Sequence, residues 1–124
     1  MPDNVTKVLT LEEIELNHFL GLSPSSDWHS VYGGQVIAQA MVAASKTIPA
    51  DRQAHSLHGY FLRPGNPEIP ILYKVDPLRD GKSFTTRRVL ATQKGEAIFT
   101  LAASFQVEEE GPVSYTHLRA HETV

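Results

Sequence analysis

Gly33-Gly34-Gln35-Val36-Ile37-Ala38-Gln39-Ala40-Met41-Val42-Ala43-Ala44-Ser45-Lys46-Thr47-Ile48-Pro49 is the stretch whose reading decides the fold. From Gln35 to about Ile48 the apolar residues Val36, Ile37, Ala40, Met41, Ala44 and Ile48 recur with helical spacing. Two glycines stand just before this run, and Pro49 lies just beyond it, where a helix is expected to stop. Ala38, Ala43 and Ala44 fall on several sides of the predicted helix, so neighbouring elements can approach it closely all round. That suits a central, wrapped helix better than one lying on a surface.

Beyond Asp51 the period changes from 3.6 to 2. Ile69, Ile71, Tyr73 and Val75 alternate with other residues, and Phe99, Leu101, Ala103, Phe105 and Val107 do so over a longer run. Ser83 to Thr92, rich in Thr and Val, and Ala54 to Leu62 read as two further strands. Asp80-Gly81 and Lys94-Gly95 are hairpin-type turns, which make the last three strands an antiparallel meander. Before the helix, Val8 to Leu20 fits neither period throughout; a short strand is expected within it and the rest is left open, and Gly21 to Asp27 is a loop by its turn chemistry. The expected fold class is α+β, a single domain whose antiparallel sheet wraps around one central helix. The domain is expected over 1–112. Residues 113–124 show no strand alternation and few apolar side chains, and are expected to be a disordered or foreign tail.

The chain has 124 residues, 41% of them hydrophobic and 20% charged, enough to bury a core without staples. It contains no cysteine, which excludes disulfides, thiolate catalysis and Cys-based zinc sites. Eleven basic against 14 acidic residues leave a net charge of −3, no footprint for nucleic acid or an anionic membrane. No apolar run approaches a membrane span and no secretory signal opens the chain, so an intracellular place is expected. Gly-x-Ser-x-Gly, His-Glu-x-x-His, Walker-type and Gly-x-Gly-x-x-Gly motifs are all missing from the sequence.

Gly33-Gly34-Gln35 at a helix start has two readings. The glycines form a tight turn, or they let a ligand approach first-turn N–H groups that polarise a carbonyl or bind an anion. His55 and His58 follow on the next predicted strand. Alternation groups His55 with Leu57, Gly59 and Phe61, so if that face is the inner one His55 points toward the helix. There it is either a hydrogen-bonded core histidine or a general base. The pair is not read as a metal site, because residues three apart on a strand face opposite ways. Arg63, in Arg63-Pro64-Gly65-Asn66-Pro67, and Lys82 could anchor phosphates or simply be solvated; Arg87 and Arg88 must face opposite ways, and a solvated sheet face is the reading for them.

Taken in order, four segments carry a resemblance. They are Tyr32-Gly33-Gly34-Gln35-Val36, His55-Ser56-Leu57-His58-Gly59-Tyr60-Phe61-Leu62-Arg63-Pro64-Gly65, Leu78-Arg79-Asp80-Gly81-Lys82-Ser83-Phe84 with Arg87-Arg88-Val89, and Ala102-Ala103-Ser104-Phe105-Gln106. From about Leu9 to about Val107 the chain resembles the N-terminal half of the bacterial thioesterase II and peroxisomal acyl-CoA thioesterase family. The resemblance implies a hotdog fold and hydrolysis of acyl-CoA to free acid and CoA, with no cofactor and no metal. His55 matches the family's motif histidine implicated in activity, and Gly33-Gly34-Gln35 matches the segment that opens the hotdog helix near the thioester. Arg63 and Lys82 are then expected to meet CoA phosphates.

Family members carry two hotdog units in tandem, and the Asp, Thr or Ser, and Gln residues that activate water belong to the second. This chain is therefore expected to be a truncated first half. The alternative is a non-catalytic unit that dimerises, or pairs with a second hotdog, and binds acyl-CoA uncleaved. A cytoplasmic or peroxisomal place is expected, and the terminal Glu-Thr-Val is not a Ser-Lys-Leu-type signal.

Overall fold

The computed structural model describes residues 9–23 and 33–107. Among them are six strands in one antiparallel sheet and a 13-residue helix: β1 (Glu12–Glu15), β2 (His18–Gly21), α1 (Gly33–Ser45), β3 (Arg52–Phe61), β4 (Ile71–Asp80), β5 (Phe84–Gln93) and β6 (Glu96–Val107). The order across the sheet is β1-β2-β4-β5-β6-β3. The expected tail, 113–124, and most of the expected loop before the helix lie outside the described residues.

The helix buries Val36, Gln39, Ala40, Ala43 and Ala44, a stripe at three- and four-residue spacing. Small residues on that stripe let the sheet come close. The helix packs on β5, β4, β6 and β2, with slight contact at most on β3. It begins two residues earlier than the periodicity suggests and ends at Ser45, three residues short of Ile48. Thr47 accounts for the early end. Its amide and its hydroxyl both bond the Ala44 carbonyl, at 3.0 and 2.8 Å, and tighten the last turn before Pro49.

The inner face of the sheet follows the alternation. Ile71, Tyr73 and Val75 of β4, Val89 and Ala91 of β5, and Phe99, Leu101, Ala103 and Phe105 of β6 are all buried beneath the helix. Lys94 (φ 51°) and Gly95 (φ 82°) form the left-handed pair of a two-residue hairpin between Gln93 and Glu96. At the other expected turn, the Gly81 N–H donates to the Phe84 carbonyl at 2.7 Å. The meander β4-β5-β6 is therefore as expected.

The N-terminal region differs from expectation by holding two strands rather than one. Every residue of β1 is exposed, so burial imposes no alternation on its sequence. Asn17 at φ 62° makes the turn into β2, whose Phe19 reaches the core.

Arg87 also departs from the solvated face expected of it. It is an inner-face residue, 3% exposed, whose Nε and Nη2 donate to the Thr47 hydroxyl and carbonyl at 2.8 and 3.0 Å. Its Nη1 lies 2.9 Å from the Asp80 carboxylate. Arg88 faces outward, as opposite facing requires, with Asp76 at 3.9 Å.

Candidate functional site

The helix start opens into a cleft of about 370 Å³ lined by Gly33, Val36, Phe61, Leu62, Arg63, Pro64, Gly65, Ile98 and Phe99. Its walls come from the first helical turn, the end of β3 with the loop after it, and the beginning of β6. Two glycines shape it. A Cβ on Gly59 would fall 2.7 Å from the Phe99 ring, so the bare backbone there lets that ring lie across the strand. Phe99 in turn supports Phe61, with ring centroids 4.7 Å apart. Phe61 then reaches Gly33, where an added Cβ would meet its ring at 3.2 Å.

No acidic side chain stands in the first turn of the helix, so no carboxylate of its own offsets the positive end of the helix dipole there. Arg63 is fixed at the rim: Nη1 donates to the Ala97 carbonyl at 2.7 Å, and Nε lies 3.9 Å from Glu96. Half of its side chain remains exposed. The site thus combines an apolar trough, a helix N-terminus and a cation at its mouth.

Gly34 is exposed beside the cleft, while Gln35 turns away to donate from Nε2 to the Ser23 hydroxyl at 2.9 Å. One turn on, Gln39 is fully buried. Its Nε2 donates to the Leu22 carbonyl at 3.0 Å, and its Oε1 accepts the Tyr73 hydroxyl at 2.7 Å. Burial pushes the Tyr73 hydroxyl far above the ordinary tyrosine range. These two glutamines hold the chain leaving β2 against the helix. The sequence signal for Gln39 was a polar residue inside the apolar stripe, and it was not singled out.

Sequence reasoning placed His55 on a regular strand, and here the structure corrects it. Leu57, Gly59 and Phe61 do pair with the inner-face residues Ala103, Leu101 and Phe99. Between Ala54 and Ser56, however, the register shifts, and His55 is the extra residue of a bulge. Its ring lies edge-on to Phe84, 5.8 Å between centroids, and Phe84 belongs to the outward set of β5. His55 is therefore exposed on the side away from the helix. Lys82 sits at the same end of β3, in the β4-β5 turn, where Arg52 donates to the carbonyls of Gly81 and Lys82 at 2.7 and 2.8 Å. At ~3.3 Å per residue, the six residues from His55 to Phe61 span about 20 Å of strand. Of the expected site residues, Gly33 and Arg63 share the cleft, Gly34 and Gln35 flank it, and His55 and Lys82 lie at the opposite end.

β3 is an edge strand with β6 as its neighbour, and almost all of it is exposed. Leu57, Tyr60, Phe61 and Leu62, on and just after it, are exposed large apolar side chains.

Residues 24–106 match the acyl-CoA thioesterase N-terminal domain family. The chain is 42% identical over 111 residues to human acyl-coenzyme A thioesterase 8, covering 90% of this chain and 35% of that protein. It is 44% identical over 109 residues to acyl-CoA thioesterase 2 of Haemophilus influenzae, covering 88% and 38%. With the peroxisomal acyl-coenzyme A thioester hydrolase 1 of Saccharomyces cerevisiae it shares 31% identity, over 85% of this chain and 31% of that one. Among solved structures, the acyl-CoA thioesterase II of Mycobacterium marinum superposes with a TM-score of 0.77 at 44% identity, over 87% of this chain and 40% of that chain. A tesB protein of Mycobacterium avium subs paratuberculosis gives 0.81 at 34% identity, over 90% and 44%. The chain thus spans about a third of the length of these curated relatives. The hotdog architecture expected of it is the one found, and by sequence and fold the chain belongs to the acyl-CoA thioesterase N-terminal domain family.

Proposed function

We propose that this chain is the first hotdog unit of an acyl-CoA thioesterase and that the acyl end of the substrate occupies the cleft at Gly33. The observation that carries this reading is the opening of a helix N-terminus into an apolar trough with Arg63 at its mouth. First-turn N–H groups suit a carbonyl oxygen that gains negative charge as water adds to the thioester carbon. The C–S bond then breaks, giving the free acid and the CoA thiol. Arg63 meets a CoA phosphate by charge, and Phe61, Ile98 and Phe99 cover the chain.

His55 and Lys82 enter this scheme through pairing. An edge strand with both faces exposed favours addition of another strand. Antiparallel pairing about the middle of β3 sets the Arg52–His55 end of one unit beside the Phe61 end of the other. His55 of the neighbouring unit then comes to the cleft's end of the sheet, on the face away from the helix, so it would act on substrate from outside the trough, and Lys82 follows at the same end. The neighbouring unit that brings His55 and Lys82 is a second copy of this chain; a second hotdog would cover the same edge with residues of its own. A cytoplasmic or peroxisomal setting is part of this reading, and one relative is named as peroxisomal; among the described residues no helix is long and apolar enough to cross a membrane.

The test is free-thiol release from medium- and long-chain acyl-CoAs by the 124-residue chain, compared with His55→Ala. Turnover that falls at least tenfold in the variant supports the reading. Absence of turnover removes catalysis by this chain and leaves the second reading, a unit that pairs and binds acyl-CoA uncleaved. That reading is favoured by the distance between His55 and the cleft within one unit. Isothermal titration with a non-hydrolysable S-alkyl-CoA decides it.

A further inference from the structure

The loop from Arg63 to Pro70 begins with the cleft wall formed by Arg63, Pro64 and Gly65. Arg63 is held by its N–H on the Ile98 carbonyl at 3.3 Å and its Nη1 on the Ala97 carbonyl at 2.7 Å, and beyond it the loop has little backbone ladder of its own. Pro64, Pro67 and Pro70 have no N–H to donate, and each restricts the residue before it to extended backbone. Within the loop, the Ile69 N–H donates to the Asn66 carbonyl at 3.1 Å, and the Glu68 N–H donates to the Asn66 Oδ1 at 2.9 Å. What ties this turn to the sheet is a side chain from elsewhere. Gln93, the last residue of β5, is buried, at 7% exposure, on the inner parity of its strand. Its Oε1 accepts the Asn66 N–H at 2.8 Å. Its Nε2 donates to the Asn66 carbonyl and to the Ile69 carbonyl, both at 2.8 Å.

We infer that Gln93 is a positioning residue for the cleft: its amide pairs with the Asn66–Ile69 backbone as a neighbouring strand would, and so sets where Pro64 and Gly65 stand opposite Gly33 and Val36. The chemistry explains why this inward position carries an amide. Both donor hydrogens and the acceptor oxygen are used by loop backbone, so nothing polar is left unpaired by burial. Both accepting carbonyls precede prolines, which supply no N–H to a ladder. Gln93 touches neither the cleft nor its contents; it acts through the loop. The width of the trough, and with it the discrimination between thin and bulky or short and long acyl chains, follows from this clamp. The inference rests on the reading of the cleft as the acyl site.

The test uses the full chain and two substitutions. Gln93→Leu removes donors and acceptor together. Gln93→Glu keeps the acceptor and the size, and replaces the NH2 group, with its two donor hydrogens, by one oxygen that faces two carbonyls. Amide hydrogen exchange at Asn66 and Ile69 is read together with isothermal titration of S-dodecyl-CoA and S-butyl-CoA thioethers. The expected result is exchange at least tenfold faster at these two amides in both variants, with the β4 and β5 ladders still protected. The preference for one chain length over the other shrinks at least fivefold. Wild-type exchange in Gln93→Leu overturns the clamp. Faster exchange with an unaltered preference overturns the positioning role. If the wild-type chain binds neither thioether, the acyl-site reading fails rather than the clamp. Amide shifts at Gly33 and Ile98 in Gln93→Leu then decide whether the clamp shapes the cleft, and unmoved shifts overturn it.

Discussion

The Tyr73 hydroxyl donates a 2.7 Å hydrogen bond to Oε1 of Gln39, joining the middle of β4 to the second turn of α1 where neither residue reaches solvent. The same amide donates to the Leu22 carbonyl, so three elements meet at one side chain. A hydrogen bond in such a place contributes modestly when made and costs more when one partner is left alone. Tyr73→Phe leaves the Gln39 oxygen without this donor, and a loss of about 1–3 kcal/mol is expected. Urea unfolding followed by circular dichroism checks it; a midpoint shift below that of an exposed control, Tyr60→Phe, contradicts it.

The same pair gives the protein an alkaline dependence. Burial holds the Tyr73 proton more tightly in the folded state than in the unfolded chain, where tyrosine titrates near 10. Stability from this group is therefore full below about pH 10 and declines as pH rises beyond it, by about 1.4 kcal/mol per unit. The difference in unfolding free energy between wild type and Tyr73→Phe should shrink steadily from pH 9.5 to 11.5. A constant difference would show that Tyr73 ionises as easily folded as unfolded.

Gly59 is where the cleft is open to attack from behind. A methyl there would meet the Phe99 ring at 2.7 and 2.9 Å, closer than real contacts allow, and that ring is already packed against Phe61, centroids 4.7 Å apart. Gly59→Ala should cost about 1–3 kcal/mol through overpacking and move the Phe61 ring off Gly33. Thermal denaturation measures the first effect and aromatic proton shifts of Phe61 the second. Gly95→Ala probes a different cause: nothing lies within 4 Å of an added Cβ there, so any loss comes from the positive φ alone.

Arg87 and Asp80 should behave as a coupled pair. Asp80→Ala leaves a buried guanidinium with neutral oxygens from Thr47 and Thr86 as its remaining partners, at a cost of about 1–3 kcal/mol. Adding Arg87→Met removes the charge that needed neutralising, so the double variant should lose less than the sum of the single ones. Additive losses in a double-mutant cycle would place Arg87 outside the influence of Asp80.

The β3 edge supplies a test of association. Leu57→Lys with Tyr60→Lys puts like charges on both faces of the strand, and so opposes pairing of two copies. Light scattering at micromolar concentration should report a dimer for the wild type and a monomer for the variant. A wild-type monomer contradicts pairing between copies of this chain.

Much of the fold was legible because burial wrote it into the sequence. The alternation in β4 and β6 survives because one face of each lies under the helix. β1 shows what happens without that pressure: its side chains are all exposed, no pattern formed, and only a short strand, its bounds left open, was legible where a hairpin stands. Gln39, Arg87 and Gln93 were missed or misread for the opposite reason. A polar residue at an inward position looks like an error in the pattern until its partner, distant in sequence, is known.

Glycines before a run of alanines and period-2 strands after it were enough to determine the architecture, since those patterns depend on local spacing, and the order of four motifs gave the family by resemblance. The direction of His55 and the makeup of the cleft were decided only by tertiary structure. One bulged residue reverses which face a side chain takes, and strand spacing alone does not record it. The cleft depends on Gly33, Phe61 and Phe99, which are far apart along the chain and meet because the sheet curls the end of β3 and the start of β6 against the first turn of the helix.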